Sequence, residues 1–332
     1  MVYCATHVGA AKADSFYEGK TVTLVTSTGI GGTYDLLARA ISRHMPRYVP
    51  GKPTMIVQNM PGAGNVLATN YMYNVAPKDG TVMAVIHAAM PLHQVLDGRG
   101  VRYDASKFNW LGSSGPENEV ILVWNTAGIR SIEDTKNKEV VVGATGEGSG
   151  LFILPMAMNR VLGTKFKMVS GYKSSEDINL AMQRGEVQAR AFGIDSIRAQ
   201  HPDWLKNKTI DIVAQAGVKR DPDLPDAPLV TELAKTDEDR AVMALISSTA
   251  GLGHPYLLPP GTPADRIAVL RQAFLDALRD KNLVEEVGKL GLRIDPMDPV
   301  EVTKIVTDTI SASANVVAKA KAAIRPSEAA EK

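Results

Sequence analysis

The stretch Thr21-Val22-Thr23-Leu24-Val25-Thr26-Ser27-Thr28-Gly29-Ile30-Gly31-Gly32-Thr33-Tyr34-Asp35-Leu36-Leu37-Ala38-Arg39 decides the fold class. Thr21 to Val25 alternate and are rich in β-formers, which predicts a strand. Ser27 to Thr33 is a glycine turn. From Tyr34 onward, Leu37, Ala38, Ile41 and Met45 recur at helical spacing, so a helix follows and stops at Pro46 and Pro50-Gly51. Strand, tight turn, helix is the repeating step of an α/β protein with a mostly parallel sheet.

The step recurs along the chain. Met55-Ile56-Val57 reads as a second strand, Asn59 to Asn65 as a second glycine turn, and Leu67, Tyr71, Met72 and Val75 mark a helix. Thr81 to His87 is nearly all apolar, as suits a strand covered on both faces. The same rhythm restarts with strands at 120–124 and 139–143. The glycine turn Thr145-Gly146-Glu147-Gly148-Ser149-Gly150 comes next, then a helix over 151–162. Further strands are expected at 166–170, 187–192 and 210–214, with a helix over 174–184 that puts Ile178, Ala181 and Met182 on one face. After Pro259-Pro260-Gly261-Thr262-Pro263 the chain turns helical, through Ile267, Leu270, Phe274 and Leu278, then near 284–290, then from Val300 to about Ala323. These spans predict one α/β lobe over 14–115, a second over 116–230, and C-terminal helices from about 231 to 332 packing back on the first lobe.

Composition narrows the function. The 332 residues are 45% apolar and 22% charged, with a formal net charge of +1. That balance suits a soluble globular protein and offers no basic surface for nucleic acid or anionic lipid. No apolar run reaches the roughly 18 residues of a membrane span. The single cysteine, Cys4, allows no intrachain disulfide and no cysteine metal site. Ala11-Lys12-Ala13 before Asp14 resembles a signal-peptidase site, although the apolar stretch expected ahead of it is short or missing. Two readings stay open there: a truncated or partly retained export signal, and a disordered alanine-rich leader.

Motifs for catalysis are missing where they would be needed. Gly29 and Gly31 fit the start of a dinucleotide fingerprint, but Tyr34 stands at the third glycine and no acid ends the next strand. His7, His44, His87, His93, His201 and His254 form no HExxH and no i,i+4 pair, so no zinc site is expected. His87, at the end of a buried strand, is either a structural imidazole or a site residue. Gly146 to Gly150 is not a nucleophile elbow, because Glu147 stands where its first glycine belongs.

The glycine turns have a simpler use. A helix start carries unsatisfied N–H groups and partial positive charge, and a glycine approach lets a ligand oxygen come close. Loops at the carboxyl ends of parallel strands also open toward the ligand crevice of α/β sheets. The alternative is that these are only tight strand-to-helix turns.

The motifs as a set resemble the substrate-binding proteins of tripartite tricarboxylate transporters, the Bug family. Thr28 to Arg39 resembles that family's first-loop motif, with Ile30-Gly31 in place of its Pro-Gly. Val57-Gln58-Asn59-Met60-Pro61-Gly62-Ala63-Gly64 is similar to its Asn-x-Pro-Gly-Ala-Gly signature. Ala76 to Thr81, Gly146 to Ser149 and Leu257 to Pro263 resemble three more of its elements, in order from about Phe16 to the C-terminus. The resemblance implies a two-lobed periplasmic-binding-protein (Venus flytrap) fold. It implies a monomer without cofactor or catalytic residue that takes a small organic carboxylate, aliphatic or aromatic, in the interlobe cleft and passes it to membrane permease subunits. Carried over residue by residue, the ligand would meet Ser27, Gly29, Gly31, Gly32, Thr33 and Tyr34, the strand-end turn His87-Ala88-Ala89, and Thr145, Gly146, Gly148 and Ser149. Tyr172 and Asp195 stand where second-lobe specificity contacts are expected. Asp35 and Arg39 read as a structural i,i+4 pair. A two-domain transferase or dehydrogenase, or a ligand-sensing partner of a membrane receptor, would be the rival uses of the same cleft.

Overall fold

The computed structural model describes residues 16–325, apart from 147, 148 and 173. Cys4, His7, the Ala11–Asp14 stretch and Gly148 lie outside the described residues. The chain divides into two compact units. The first takes the chain up to Met90, then Gly100–Gly115 and His254–Val306; the second takes Pro91–Arg99, Pro116–Gly253 and the chain from Thr307. The strands are β1 (Thr21–Thr26), β2 (Thr54–Asn59), β3 (Val82–Val85), β4 (Asn109–Ser113), β5 (Glu119–Trp124), β6 (Val140–Ala144), β7 (Phe166–Ser170), β8 (Ala189–Gly193), β9 (Ile210–Ala216) and β10 (Pro255–Leu258).

The first unit holds a sheet in the order β2-β1-β3-β10-β4. β1 runs parallel to β2 and β3, with Thr21 opposite Thr54 and Thr23 opposite Val82. Such pairs need crossovers, supplied by the helices Thr33–His44 and Val66–Asn74. β3 is buried along its whole length, as its unbroken apolar sequence demands. Leu24, Leu37, Ile41, Met83, Tyr256 and Phe274 form the centre of this core. β10 runs antiparallel to both its neighbours, β3 and β4. Gly112 sits at φ +129, and a Cβ there would lie 2.6 Å from the Met297 carbonyl. Glycine thus lets Ser113 and Met297 exchange two backbone hydrogen bonds, at 3.1 and 3.0 Å.

The second unit holds a sheet in the order β7-β6-β8-β5-β9. β6 is parallel to β7 and β8, and β5 is antiparallel to β8 and β9. One face packs against the helices Gly150–Leu162, Asp237–Leu252 and Ala314–Ile324, through Leu154, Met158, Met243, Ile246 and Ala320. The other packs against Ser175–Gln183 and Ile194–Gln200, through Ile178, Met182 and Ile197.

In each sheet a single strand, β10 or β5, runs against four others, so the sheets are mostly parallel as expected. Two expectations shift, both in the C-terminal stretch, which is shared out. Ala264–Leu278 belongs to the first unit, where Leu270 and Phe274 are buried, but Asp237–Leu252 and Ala314–Ile324 cover the second unit's sheet. The expected single helix from Val300 to Ala323 is two, Pro299–Ile310 and Ala314–Ile324, the latter capped by Ser313.

Candidate functional site

In the first unit the glycine turn links β1 to the Thr33–His44 helix. Gly31 takes φ +86, open to glycine and strained for other residues. Its N–H donates to Asp35 Oδ2 at 2.9 Å. Arg39 Nε donates to the same oxygen at 3.0 Å, and Asn59 Nδ2 donates to Asp35 Oδ1 at 2.8 Å. Asn59 also donates to the Thr28 carbonyl at 3.1 Å and accepts from Arg39 Nη2 at 3.1 Å. Burial alone would raise the Asp35 carboxyl, but the donors from Arg39, Gly31 and Asn59 outweigh it and hold the group below the ordinary carboxylate range. Asp35 and Arg39 are therefore the structural pair expected, with Asp35 buried and tied to the turn.

The strand-end turn is fastened to the same place. His87 N–H donates to Ser27 Oγ at 3.0 Å, and Ala88 N–H donates to the Tyr34 hydroxyl at 3.1 Å. Ala89 N–H donates to His87 Nδ1 at 3.2 Å, which assigns the neutral ring's proton to Nε2. Tyr34 stacks on His87 with centroids 5.3 Å apart and meets His254 edge-on at 4.6 Å. The structure thus brings Ser27, Tyr34, His87, Ala88 and Ala89 into one hydrogen-bonded group. Gly29 and Gly31 are exposed at the rim of the turn, and Gly32 precedes the helix. Gly31 shapes the turn, since its N–H goes to Asp35.

In the second unit Thr145 and Gly146 follow β6, and Ser149 opens the Gly150–Leu162 helix. Ser149 Oγ donates back to the Gly146 carbonyl at 2.7 Å instead of capping the helix. Helices opened by Ser131, Ser174, Thr236 and Ser313 carry a side-chain cap, whereas those after the glycine turns, led by Gly32 and Ser149, carry none. At neither start does the residue before the helix cap it with its own side chain, and each start is the positive end of its helix dipole.

Tyr172 covers Gly143, with a ring carbon 3.5 Å from where a Cβ would be. Asp195 is engaged by Arg198 Nη1 at 2.7 Å, in a cluster with Asp221 and Asp223. That partner makes it part of a structural ion network.

Two groups escaped the sequence reading. Glu119 places its carboxyl against the start of the Gly150 helix, with Oε1 3.3 Å from a Cβ built on Gly150. Burial, helped by the nearby Glu117 charge and opposed by Arg190, pushes it up to about 7. Arg190 is fully buried on the opposite face of the sheet. In sequence Glu119 reads as the polar end of an apolar run and Arg190 as the polar half of an alternating strand, so neither carried a signal. Among the described residues no His/Cys/Asp/Glu cluster could hold a metal, and no helix is long and apolar enough to cross a membrane.

A family model described as tripartite tricarboxylate transporter family receptor matches residues 37–321. The UPF0065 protein in gbd 5'region of Cupriavidus necator is 22% identical over 319 residues, covering 93% of this chain and 90% of that one. Among solved structures, MatC (Rpa3494) from Rhodopseudomonas palustris with bound malate superposes with a TM-score of 0.68 at 20% identity, over 92% of this chain and 99% of that one. R. palustris Rpa4515 with adipate gives 0.69 at 20% identity, over 91% and 97%. The periplasmic binding protein BugD gives 0.69 at 20% identity, over 92% and 98%.

Proposed function

The chain belongs to the tripartite tricarboxylate transporter receptor family, and from that premise we propose that it captures a small organic di- or tricarboxylate, or an aromatic acid, and hands it to membrane permease subunits. It is a solute receptor of that family and not an enzyme. The observation that carries the reading is the pair of helix starts after Gly32 and Ser149, both without a side-chain cap. Each offers N–H donors and the positive end of a helix dipole to an oxyanion. His87, with Nε2–H assigned, adds a side-chain donor beside the first start. The malate and adipate in the two Rhodopseudomonas relatives support an acid as ligand. We place the protein in the periplasm, acting as a monomer.

A thermal-shift screen tests this, with succinate, malate, adipate, citrate, benzoate and terephthalate against ATP and NAD. An acid at about 100 times its Kd should stabilise the fold by about 2.7 kcal/mol. Shifts with nucleotides alone would reject the receptor reading.

A further inference from the structure

Arg190 is buried in the second unit, on the face of β8 that packs under the Ser175–Gln183 helix. Its Nη1 donates to the Ser175 carbonyl at 2.8 Å and to Asn179 Oδ1 at 2.5 Å, and its Nε reaches the Ala191 carbonyl at 3.4 Å. Among the described residues Nη2 has no hydrogen-bond partner. Among the described residues no carboxylate lies within ion-pair distance of the guanidinium. Glu176 and Glu119 act on it from farther off, and burial still pulls it down to about 9.

The surroundings orient the group. Its Cζ lies over the Phe192 ring, 3.8 Å from the centroid. One residue on from the Val142–Ala189 pair, Gly143 in β6 contributes no side chain, and Ile178, Val187 and Tyr172 close over it, 2.7, 3.3 and 3.5 Å from where a Cβ would be. Phe192 and Tyr172 are only partly buried.

A cation held out of water with one edge unpaired weakens a fold. With Nε and Nη1 engaged, Nη2 is left with two N–H donors and the charge of the group, which suit a carboxylate oxygen. We infer that Arg190 Nη2 is the charged anchor for one carboxylate of the captured acid, whose anion completes the ion pair that the described residues leave open. This rests on the carboxylate reading and sharpens it: glycine turns grip through backbone, and Arg190 reads charge.

The test is isothermal titration of the intact wild-type and Arg190→Met proteins with whichever acid of the panel gives the largest thermal shift, and with its monoamide. Methionine keeps an apolar stem and removes the donor. The expected result is at least about a 30-fold loss of affinity for the acid, with the unliganded midpoint unchanged or raised. The wild type should prefer acid to monoamide, and Arg190→Met should bind the two alike. A lowered midpoint with affinity kept within about twofold would show a structural arginine and overturn the inference. If Arg190→Met does not fold, Arg190→Lys and the wild-type comparison decide, and equal wild-type affinity for acid and monoamide overturns it. If an acid binds the wild type and the variant alike, the receptor reading survives and the anchor does not. If no acid binds the wild type, both fall.

Discussion

Glu119 shows how one side chain sets a pH dependence for the whole fold. Its carboxyl lies against the Gly150 helix start and near Glu117, and burial is the larger reason that its pKa rises from 4.5 to about 7. Between those two values the folded chain keeps a proton that the unfolded chain has released. The folded state then binds more protons, so stability falls as pH rises through that window. Below it both states are protonated and nothing is lost; above it the full penalty applies. Glu119→Gln should therefore match the wild type at pH 4 and exceed it at pH 8, by on the order of 1–3 kcal/mol. Urea midpoints across pH 4–8 measure this, and parallel curves for the two proteins would refute it. Asp35 behaves in the opposite sense, because its donors hold it ionised. Its contribution is complete above the ordinary value of 3.8 and is lost as pH falls below that.

The elements divide into those whose signal is local and those whose signal is not. β1, its glycine turn and the Thr33–His44 helix were legible because alternation, turn chemistry and helical spacing all sit within 24 consecutive residues, Thr21 to His44. β10 starts with Pro255 and spans four residues, β4 ends in Gly112-Ser113, and both owe their existence to antiparallel partners far away in sequence. The Asp237–Leu252 helix interleaves Ser247, Ser248 and Thr249 with its apolar residues, which blurs the period. The Ser175–Gln183 helix was legible, and its cap has a second consequence. Ser174 Oγ accepts from the Asp177 N–H at 3.1 Å, and the first two turns of the helix it fastens carry the Ser175 carbonyl and Asn179 that hold Arg190. Ser174→Ala should cost about 1 kcal/mol of stability. It should also weaken acid binding several-fold through the loosened arginine, and Ser174→Asp, another capping residue, should restore both. Urea melts with titration of all three proteins check this; a stability loss with binding unchanged would separate the cap from the site.

At the scale of the molecule, neither unit is one continuous piece of chain, and the division was the least legible feature. Residues that share a core, such as Leu92, Ile121, Met243 and Ala320, lie far apart in sequence and carry no local mark of belonging together. The break at Ser311-Ala312-Ser313 matters most, because it separates Pro299–Ile310 from the final helix, which goes to the second unit. Ala320 and Ala323 of that helix are 0% and 5% exposed, with Val316, Val317 and Ile324 packed around the same core. Two alanines at the contact let the helix lie close against Gly150–Leu162 and Asp237–Leu252. Removing residues from 313 onward uncovers those two helices and takes five apolar side chains out of the core. By area burial that loss is on the order of 5 kcal/mol, a large share of what holds a domain of this size together. The first unit's sheet takes no residue beyond Val306. Hydrogen exchange on the truncated chain should therefore rise across β5 to β9 and their helices, with β1, β2 and β3 close to their full-length protection. Even loss of protection across both sheets would mean that the two cores do not stand on their own contacts, and it would sink this division of the chain.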